Sequence, residues 1–375
     1  MSVVYKKLEE VCEILDSQRI PITAKDRKAG QYPYYGANGL QDYVAEYIFD
    51  DELVLLAEDG GNFGSTDRPI AYRVSGKCWV NNHAHVLKAK SCIDIDYLGY
   101  SLMFYDTSGL VNGATRQKLT QAAMREMKIP YRNSDEQKEI VKKIDGVFCL
   151  IEKRQLELHH LDQLVKSRFV EMFGDPKCNP MHWEQQPLYK ILEAGSSVSY
   201  GIVQTGDHVQ DGVPVFRPSD IADGKIPQRQ QLKCTTAEIS NQYSRTLLKG
   251  YELLITVRGS VGETFQVTDE FKDCNVGRNI VPLRFDTNMV LYPFMQSLFD
   301  QEGIKTILSA MTKGIALQGL NMSEFREVDI ILPPISLQRD FVAFREQTDK
   351  SKLAVKQSLE KLETLKKSLM QQYFG

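Results

Sequence analysis

The sequence predicts a mixed α/β (α+β) protein in which two globular domains are joined by two long antiparallel helices that form a coiled coil. Three observations lead to this prediction: an internal repeat, an apolar stripe along both copies of the repeat, and short strand-like segments before each copy. Because the two halves of the chain share one plan, we expect a pseudo-twofold internal repeat.

The repeat aligns residues 113–174 with residues 314–375 without a gap. Fifteen of the 62 aligned positions are identical, several times the number that chance alone gives. The identical pairs include Gly113/Gly314, Gln117/Gln318, Leu119/Leu320, Arg125/Arg326, Glu126/Glu327, Ile129/Ile330, Gln137/Gln338, Leu158/Leu359, Leu161/Leu362, Leu164/Leu365, Lys166-Ser167/Lys367-Ser368 and Phe173-Gly174/Phe374-Gly375.

A long helix is predicted from about Ser134 to Phe173, and its copy lies near the C-terminus. Apolar residues recur at alternating steps of three and four, which is the spacing of a coiled-coil seam. Such a stripe leaves leucine and valine in water unless it packs on another helix, so we expect the copies to pair. About 38 residues give a rod of roughly 57 Å, with the two domains expected at opposite ends. The predicted seam is Ile144, Val147, Ile151, Leu158, Leu161, Val165 and Met172 in the first copy and Val355, Leu359, Leu362, Leu369 and Tyr373 in the second.

Two core helices of an ordinary globular domain are the alternative interpretation. The length of the helices and their recurrence in register favour the pair. The predicted divisions are residues 1–112 and 175–313 for the globular domains, and 113–174 and 314–375 for a connector followed by a helix.

Local signals predict the elements of the globular domains. An opening helix is expected over Tyr5–Ile14, a loop or strand–turn over Lys25–Gly39 and a buried strand over Leu53–Ala57. The second domain repeats this plan, with Glu252–Val257 as the counterpart of the buried strand. Ser134 followed by Gln137 has the spacing of a capping box, which predicts the start of the first long helix.

The composition excludes several classes of protein. With 375 residues, 42% apolar and 25% charged, the chain is long enough for two domains of ordinary globular character. No run of 18 apolar residues and no apolar signal core occurs, which argues against a membrane span and against export. Seven scattered cysteines fit a reducing cytosol rather than a disulfide frame or a zinc site. We expect a cytoplasmic protein without a membrane partner.

Three patterns resemble catalytic or metal sites, and none of them is convincing. The glycine-rich Glu58–Gly64 is followed by a strand pattern rather than by the helix that a cofactor loop opens. Pro218–Asp220 with Asp223–Lys225 has acids too close together for a nuclease site. His83 and His85 share one strand face, but no carboxylate or cysteine cluster completes a metal site with them. We therefore predict no catalytic residue, no metal and no cofactor in this chain.

Loop residues with forked or amide donors beside aromatic residues suit base edges and phosphates. With a net charge of −3, any surface for a polyanion must be local. The candidate DNA-binding residues in the first half are Lys25, Arg27, Lys28, Tyr32, Tyr34, Asn38, Asn62, Arg68, Asn81, Asn82, Arg116 and Lys118. Those in the second half are Tyr200, Gln204, Thr205, Arg217, Ser219, Arg229, Arg258, Asn275, Arg278, Asn279 and Lys313.

The order of these segments resembles the specificity subunit of Type I restriction–modification systems. Two variable segments alternate with near-copies of one helix, and each helix follows a Gln-x-Leu element, a hydrophobic stretch with proline and a glutamine. The Gln-x-Leu elements are Gln117/Leu119 and Gln318/Leu320, and the glutamines are Gln137 and Gln338.

The resemblance implies a non-catalytic subunit whose two target recognition domains each bind one half of a bipartite, asymmetric DNA sequence. It further implies that the paired helices set the spacing of the half-sites and dock two methyltransferase subunits, and that restriction/translocase subunits join the complex. S-adenosylmethionine, ATP and Mg are then expected only in the partner subunits. The alternatives are a free-standing methyltransferase or nuclease, and a coiled-coil scaffold that binds only protein.

Overall fold

The chain folds into two compact units. The computed structural model describes residues 4–113, 116–222, 227–313 and 319–375. One unit contains Met1–Leu156 with Lys356–Gly375, and the other contains Glu157–Val355. Two helices of 40 residues each, Ser134–Phe173 and Ile335–Phe374, contribute residues to both units. The predicted fold class, with two globular parts joined by two long helices, is confirmed.

The first unit is built on a six-stranded sheet with the strand order β2-β7-β5-β6-β3-β4. Two short antiparallel ladders, β1 with β10 and β8 with β9, accompany it. The elements are β1 (Val4–Lys7), α1 (Leu8–Val11), β2 (Cys12–Ile14), a 3-10 turn (Asp16–Gln18), β3 (Ala29–Gly36), β4 (Gly39–Val44), β5 (Phe49–Ala57), β6 (Ala71–Val80), β7 (Ala84–Ala89), α2 (Ile95–Met103), β8 (Val111–Asn112), β9 (Lys118–Leu119), α3 (Gln121–Arg125), β10 (Lys128–Tyr131) and the start of α4 (Ser134–Phe173).

Strand β5 is buried on both faces. Side chains alternate between the faces of a strand, so Leu53 and Leu55 enter one apolar cluster while Val54 and Leu56 enter another. The second cluster also contains residues of α2, of the start of α4 (Ile140) and of the end of the second long helix (Met370). This double burial explains why the sequence there is an unbroken apolar run, and it confirms the predicted strand.

The predicted opening helix over Tyr5–Ile14 is wrong in extent. Only Leu8–Val11 is helical, because Val4–Lys7 pairs with Lys128–Tyr131 and Cys12–Ile14 pairs with β7. Ladder partners more than 70 residues away along the chain override the local helical pattern.

The second unit has smaller sheets, with the orders β13-β12-β16 and β15-β14-β17, and two short ladders, β11 with β20 and β18 with β19. Its elements are β11 (Gln185–Pro187), β12 (Val213–Phe216), α5 (Pro218–Ile221), β13 (Lys233–Thr235), α6 (Ala237–Gln242), β14 (Leu253–Thr256), β15 (Thr264–Gln266), β16 (Asn275–Val276), β17 (Ile280–Leu283), α7 (Tyr292–Phe299), α8 (Glu302–Ala310), β18 (Thr312–Lys313), β19 (Gly319–Leu320), α9 (Met322–Phe325), β20 (Asp329–Ile331) and α10 (Ile335–Phe374), with 3-10 turns at Leu188–Ile191, Arg229–Gln231, Ser244–Thr246 and Asp269–Phe271.

The repeat in the sequence is a repeat of backbone hydrogen bonds. The N–H of Leu8 donates to the carbonyl of Met127 at 2.8 Å, and the N–H of Leu188 donates to the carbonyl of Val328 at 2.9 Å. Met127 and Val328 are equivalent in the gap-free alignment of the two copies. Each connector therefore docks on its own globular part in the same way.

Within the first unit, the C-terminal end of α10 packs beside the N-terminal half of α4. The Lys366 Nζ lies 5.6 Å from the centroid of the Phe148 ring, and the Phe374 ring lies 5.2 Å from that of Tyr97 in α2. The helices are antiparallel here, since residues late in α10 meet residues early in α4.

The second unit contains the reverse combination, the end of α4 beside the start of α10. The ring of Phe341 contacts those of Phe169 and Phe173, at centroid distances of 5.4 and 5.5 Å. Lys352 forms an ion pair of 2.8 Å with Asp162. The predicted antiparallel pairing holds in each unit.

The predicted seam residues all lose solvent exposure, but to different degrees. Phe169 and Phe173, which the 3.5-residue pattern does not include, are more buried because they also contact Phe294 of α7. Among the seam residues, those that are buried are Ile144, Val147, Ile151, Val165 and Val355, and those that are half-buried are Leu158, Leu161, Met172, Leu359, Leu362, Leu369 and Tyr373.

Candidate nucleic-acid interface

Strands β5 and β7 of the first unit end beside the connector strand β9. The last paired residues are Ala57 and Ala84, and the ladder continues as a hydrogen bond of 2.8 Å from the N–H of Glu58 to the carbonyl of His83. Leu119 then donates its N–H to the carbonyl of Glu58 at 2.7 Å. Three segments distant in the sequence meet at this point.

Asp59 and Asn82 lie just beyond the end of this ladder, where Asp59 is bridged to Lys118 and Asn82 lies in a turn. Gly60 follows with φ of +65°, a left-handed conformation that glycine adopts without strain. The amide of Asn38 donates to the carbonyl of Gly60 at 3.0 Å, which brings the β3–β4 turn to the same place.

Charged side chains of both signs alternate over these loops. Asp59 accepts a hydrogen bond from Arg116, and its Oδ1 lies 3.0 Å from the Nδ1 of His83. The Lys118 Nζ lies 3.0 Å from the Glu58 Oε1. We call the set Asn38, Asp59, Asn82, His83, Arg116 and Lys118 the first loop surface.

A buried ionic network supports the first loop surface from below. The Nδ1 of His85 lies 2.6 Å from the Asp16 Oδ2, and its Nε2 lies 2.9 Å from the carbonyl oxygen of Leu119. Arg19 donates to Glu58 at 2.7 Å and to the carbonyl of Ala84 at 2.7 Å. The network therefore joins the sheet to the connector.

The two carboxylates of this network have lowered pKa values. Burial alone raises the pKa of Asp16, but its hydrogen bond and charge interaction with His85 bring the net pKa below the ordinary value of 3.8. Burial likewise opposes the shift of Glu58, whose hydrogen bonds from Arg19 and Lys118 bring its pKa below 4.5. Both groups are therefore stabilised as carboxylates.

Among the described residues, Asp16, Glu58 and His85 form one group whose ligand atoms all lie within 4.8 Å of one another, close enough to hold a metal ion. Their oxygens already accept hydrogen bonds from the cationic Arg19 and from Gln121, the latter at 3.0 Å. A cation would have to displace these donors, so the arrangement fits an ionic network better than a metal centre.

Strands β14 and β17 of the second unit end in the same manner. After the last pair, Thr256 with Ile280, the N–H of Val257 donates to the carbonyl of Asn279 at 2.8 Å. Leu320 of β19 donates to the carbonyl of Val257 at 2.9 Å. These bonds match those of Glu58, His83 and Leu119 one for one.

Arg258 and Arg278 lie just beyond the end of this ladder. Arg258 is bridged to Gly319, and Arg278 lies in the turn that the N–H of Ile280 closes on the carbonyl of Gly277 at 3.1 Å. Gly259 follows Arg258 with φ of +79°, as Gly60 follows Asp59. The N–H of Arg278 donates to the carbonyl of Ile202 at 2.8 Å, which brings the segment around Ile202 to the same place. We call the set Val203, Arg258, Arg278, Asn279 and Gly319 the second loop surface.

The predicted binding residues divide into those at the loop surfaces and those elsewhere. Asn38, Asn82, Arg116 and Lys118 lie on the first loop surface. On the second surface, Arg258 and Arg278 are exposed and Asn279 is half-buried, while Tyr200, Gln204 and Thr205 lie on the adjoining segment. Sequence reasoning missed Asp59, His83, Val203 and Gly319, because it searched for cationic, amide, aromatic and hydroxyl side chains.

Three candidates are buried, and their assignment as direct DNA contacts is corrected. Tyr34 is 1% exposed and lies in an apolar cluster, and Asn81 is 3% exposed with its amide bonded to Gln41. Asn275 is fully buried, where it bonds to Ser240 and Thr246. These side chains position the backbone.

The remaining candidates lie apart from these contacts. Arg27 stacks at 4.1 Å on Tyr34, with exposed Lys25 and Lys28 and half-buried Tyr32 nearby in sequence. The amide of Asn62 donates to the carbonyl of Pro69, next to exposed Arg68. Arg217 forms an ion pair with Asp220, beside exposed Ser219. Arg229 donates hydrogen bonds to two backbone carbonyls. The side chain of Lys313 and residues 223–226 lie outside the described residues.

Comparison with known proteins identifies the family. The family model described as the Type I restriction modification DNA specificity domain matches residues 2–160 and 202–365. The chain belongs to this family. The two matched regions correspond to the two halves of the internal repeat, so the resemblance inferred from the repeat is confirmed.

Individual members of the specificity family are similar along nearly the whole chain. A putative type I restriction enzyme specificity subunit from Haemophilus influenzae is 26% identical over 386 aligned residues, covering 98% of this chain and 95% of the relative. The crystal structure of the S subunit from M. genitalium covers 100% of this chain and 96% of its own, with 14% identity and a TM-score of 0.56.

A second S-subunit-like structure comes from work on complex assembly and conformational transition of the type I R-M system. It covers 100% of this chain and 99% of its own, with 17% identity and a TM-score of 0.56. At these identities the two structures support the fold of the specificity family. None of the helices in the described residues is long and apolar enough to cross a membrane.

Proposed function

We propose that each loop surface binds one half of a bipartite, asymmetric DNA target, so that the chain supplies sequence specificity to a Type I restriction–modification complex. The observation that carries this proposal is the pair of equivalent ladder ends, which share their backbone hydrogen bonds but differ in their side chains. One scaffold with two different sets of base-contacting groups is what an asymmetric two-part sequence requires.

The chemistry of both surfaces suits DNA. Arginine, lysine and asparagine donate to phosphates and to base edges in the major groove. The chain as a whole has a net charge of −3, so attraction to DNA comes from local groups such as Arg258 and Arg278. We expect binding to weaken steeply with salt, because each phosphate contact releases counterions.

We propose further that α4 and α10 fix the number of base pairs between the half-sites. Each helix is continuous over 40 residues and contributes residues to both units. Helices without a break transmit distance more rigidly than a flexible linker does.

The helices also offer apolar surface for protein partners. Large apolar side chains that stay exposed are Leu150, Leu156, Leu164 and Val170 on α4 and Leu353 and Leu365 on α10. We propose that they dock two methyltransferase subunits, with restriction/translocase subunits joining that core in the cytoplasm. In this proposal the chain itself is non-catalytic, and S-adenosylmethionine, ATP and Mg bind to the partners.

The deciding experiment maps methylated sites in DNA after co-expression of the chain with its methyltransferase subunit. We expect one bipartite motif with a fixed spacer. Seven residues inserted both between residues 156 and 157 and between residues 355 and 356 keep the seam in register. They lengthen the rods by about 10 Å, which is about three base pairs at 3.4 Å each.

The matched insertion should lengthen the spacer and leave both half-sites unchanged. An insertion of seven residues in α4 alone serves as the control, and it should abolish modification because the seam falls out of register. A normal bipartite motif with an unchanged spacer after the matched insertion would refute the spacing role.

A further inference from the structure

The two loop surfaces carry different chemistry at equivalent backbone positions. Glu58 and Val257 accept the same connector hydrogen bond, so the residues that follow them, Asp59 and Arg258, are equivalent. His83 and Asn279 accept the equivalent hydrogen bonds from Glu58 and Val257, so the residues that precede them, Asn82 and Arg278, are equivalent as well. One surface therefore presents a carboxylate beside an amide, and the other presents two guanidinium groups.

Arg258 and Arg278 are the neighbours of Val257 and Asn279, which share the last hydrogen bond of this ladder end, so two cations lie at one place on the surface. A local excess of one charge attracts polyanions, whereas its self-repulsion does not favour the folded state. Both side chains are exposed, and within the described part of the chain neither forms an ion pair with a carboxylate. Folding stability gives no reason for these two arginines, whereas a ligand rich in hydrogen-bond acceptors would use both of them.

The connector shapes the space around Arg258. A Cβ built on Gly319 would lie 2.7 Å from the Arg258 Cγ and 2.9 Å from its Nε. The aliphatic part of the Arg258 side chain therefore passes over the connector at Gly319, where any side chain would collide with it. In the first unit the equivalent residue is Lys118, which pairs with Glu58 instead.

We propose that Arg258 and Arg278 recognise guanine in the half-site that the second unit binds. Each guanidinium group donates two parallel hydrogen bonds, which match the O6 and N7 acceptors that guanine presents in the major groove. The first unit has no arginine at either equivalent position, so the recognition of guanine by these two arginines is specific to the second half-site. This inference rests on the proposed function in DNA binding.

The test compares methylation motifs and competitive DNA binding for three variants of the chain in complex with its methyltransferase subunit. Arg258→Lys and Arg278→Lys keep the positive charge but lose the two-pronged donor. Asp59→Ala changes the equivalent position of the first unit and is the matched control. The DNA substrates for binding carry the wild-type motif with each of its guanine positions occupied in turn by each of the four bases.

We expect each lysine variant to lose roughly 10- to 100-fold of its preference for guanine at one position. The loss should be confined to one half-site, while Asp59→Ala alters only the other half-site. Uniform weakening over all sequences with an unchanged motif would indicate phosphate contacts and overturn the inference. The inference is also overturned if neither lysine variant changes the preference for a guanine in the motif. If the wild-type complex has no bipartite motif, both the proposed function and this inference are overturned.

Discussion

The side-chain oxygen of Gln137 accepts a hydrogen bond of 2.7 Å from the backbone N–H of Asp94, the residue that caps α2. The same amide donates to the carbonyls of Cys92 and Arg132, at 3.3 and 2.7 Å. A buried glutamine at the start of α4 thus fixes the start of a domain helix.

Gln338 repeats this arrangement in the second unit. Its oxygen accepts from the N–H of Leu291 at 2.9 Å, and its amide donates to Met289 and Pro333 at 3.0 and 2.9 Å. Leu291 is the N-cap of α7. The identity of these glutamines in the repeat therefore has a physical cause, the need to satisfy three backbone groups with one buried side chain.

Replacing Gln338 by Glu should destabilise the second unit by about 2–4 kcal/mol. The volume stays the same, but two donated bonds become contacts between a carboxylate and carbonyl oxygens. Urea unfolding measures the change, with exposed Gln163→Glu on α4 as the control, which should change stability by less than about 0.5 kcal/mol. Equal stability of the two variants would contradict the role of Gln338.

Much of the fold follows from local sequence pattern, because long helices carry a strong periodic signal. The span Ser134–Phe173 was predicted and is observed. The cap was not: Asn133, rather than Ser134, accepts from the N–H of Glu136 at 2.9 Å, and Gln137 reaches into the domain. The position of a helix end depends on one or two capping hydrogen bonds, and the apolar periodicity of the sequence does not predict these.

The loop surfaces were predicted only in part, because they are assembled by strand register. Arg258 and Arg278 are 20 positions apart, and they come to the same ladder end through a strand pairing that the sequence does not reveal. Asn275 and Tyr34 carry suitable chemistry but are buried, which composition alone cannot indicate.

The buried network of Asp16 and Glu58 predicts acid sensitivity of the first unit. Their pKa values are lowered in the folded state, so the stability they contribute is present above the ordinary values of 3.8 and 4.5 and is lost as the pH falls through the folded values. Asp16→Asn should cost about 3 kcal/mol at pH 7, since it removes the buried carboxylate that His85 and Gln121 contact.

The measurement is unfolding by urea between pH 3 and pH 7. Asp16→Asn should also flatten the decline of stability below about pH 4.5, whereas exposed Asp207→Asn should follow the wild type. A wild-type slope in Asp16→Asn would show that the network does not govern acid unfolding.

The exposed leucines of the long helices predict partner docking without a role in folding. Leu156 is 51% exposed and Leu353 is 58% exposed, so Leu156→Lys and Leu353→Lys should change stability by less than about 0.5 kcal/mol. Assembly with methyltransferase subunits should weaken at least about tenfold, as expected when a charge enters an apolar contact. Size-exclusion chromatography of the mixed subunits measures assembly, with Gln163→Lys as the control, and normal assembly of both leucine variants would exclude this face.

Substitution of Gly319, which has no side chain to contact DNA, should still change DNA specificity. Gly319→Ala places a methyl group 2.7 Å from the Arg258 Cγ, so the arginine must move. We expect weaker discrimination at the guanine contacted by Arg258, of about tenfold, with unchanged discrimination at the guanine contacted by Arg278. The matched control is Gly259→Ala, which meets no atom within 4 Å but has φ of +79° and tests backbone strain instead. If Gly319→Ala leaves the motif and the relative affinities unaltered, the position of the Arg258 stem over the connector does not matter for recognition.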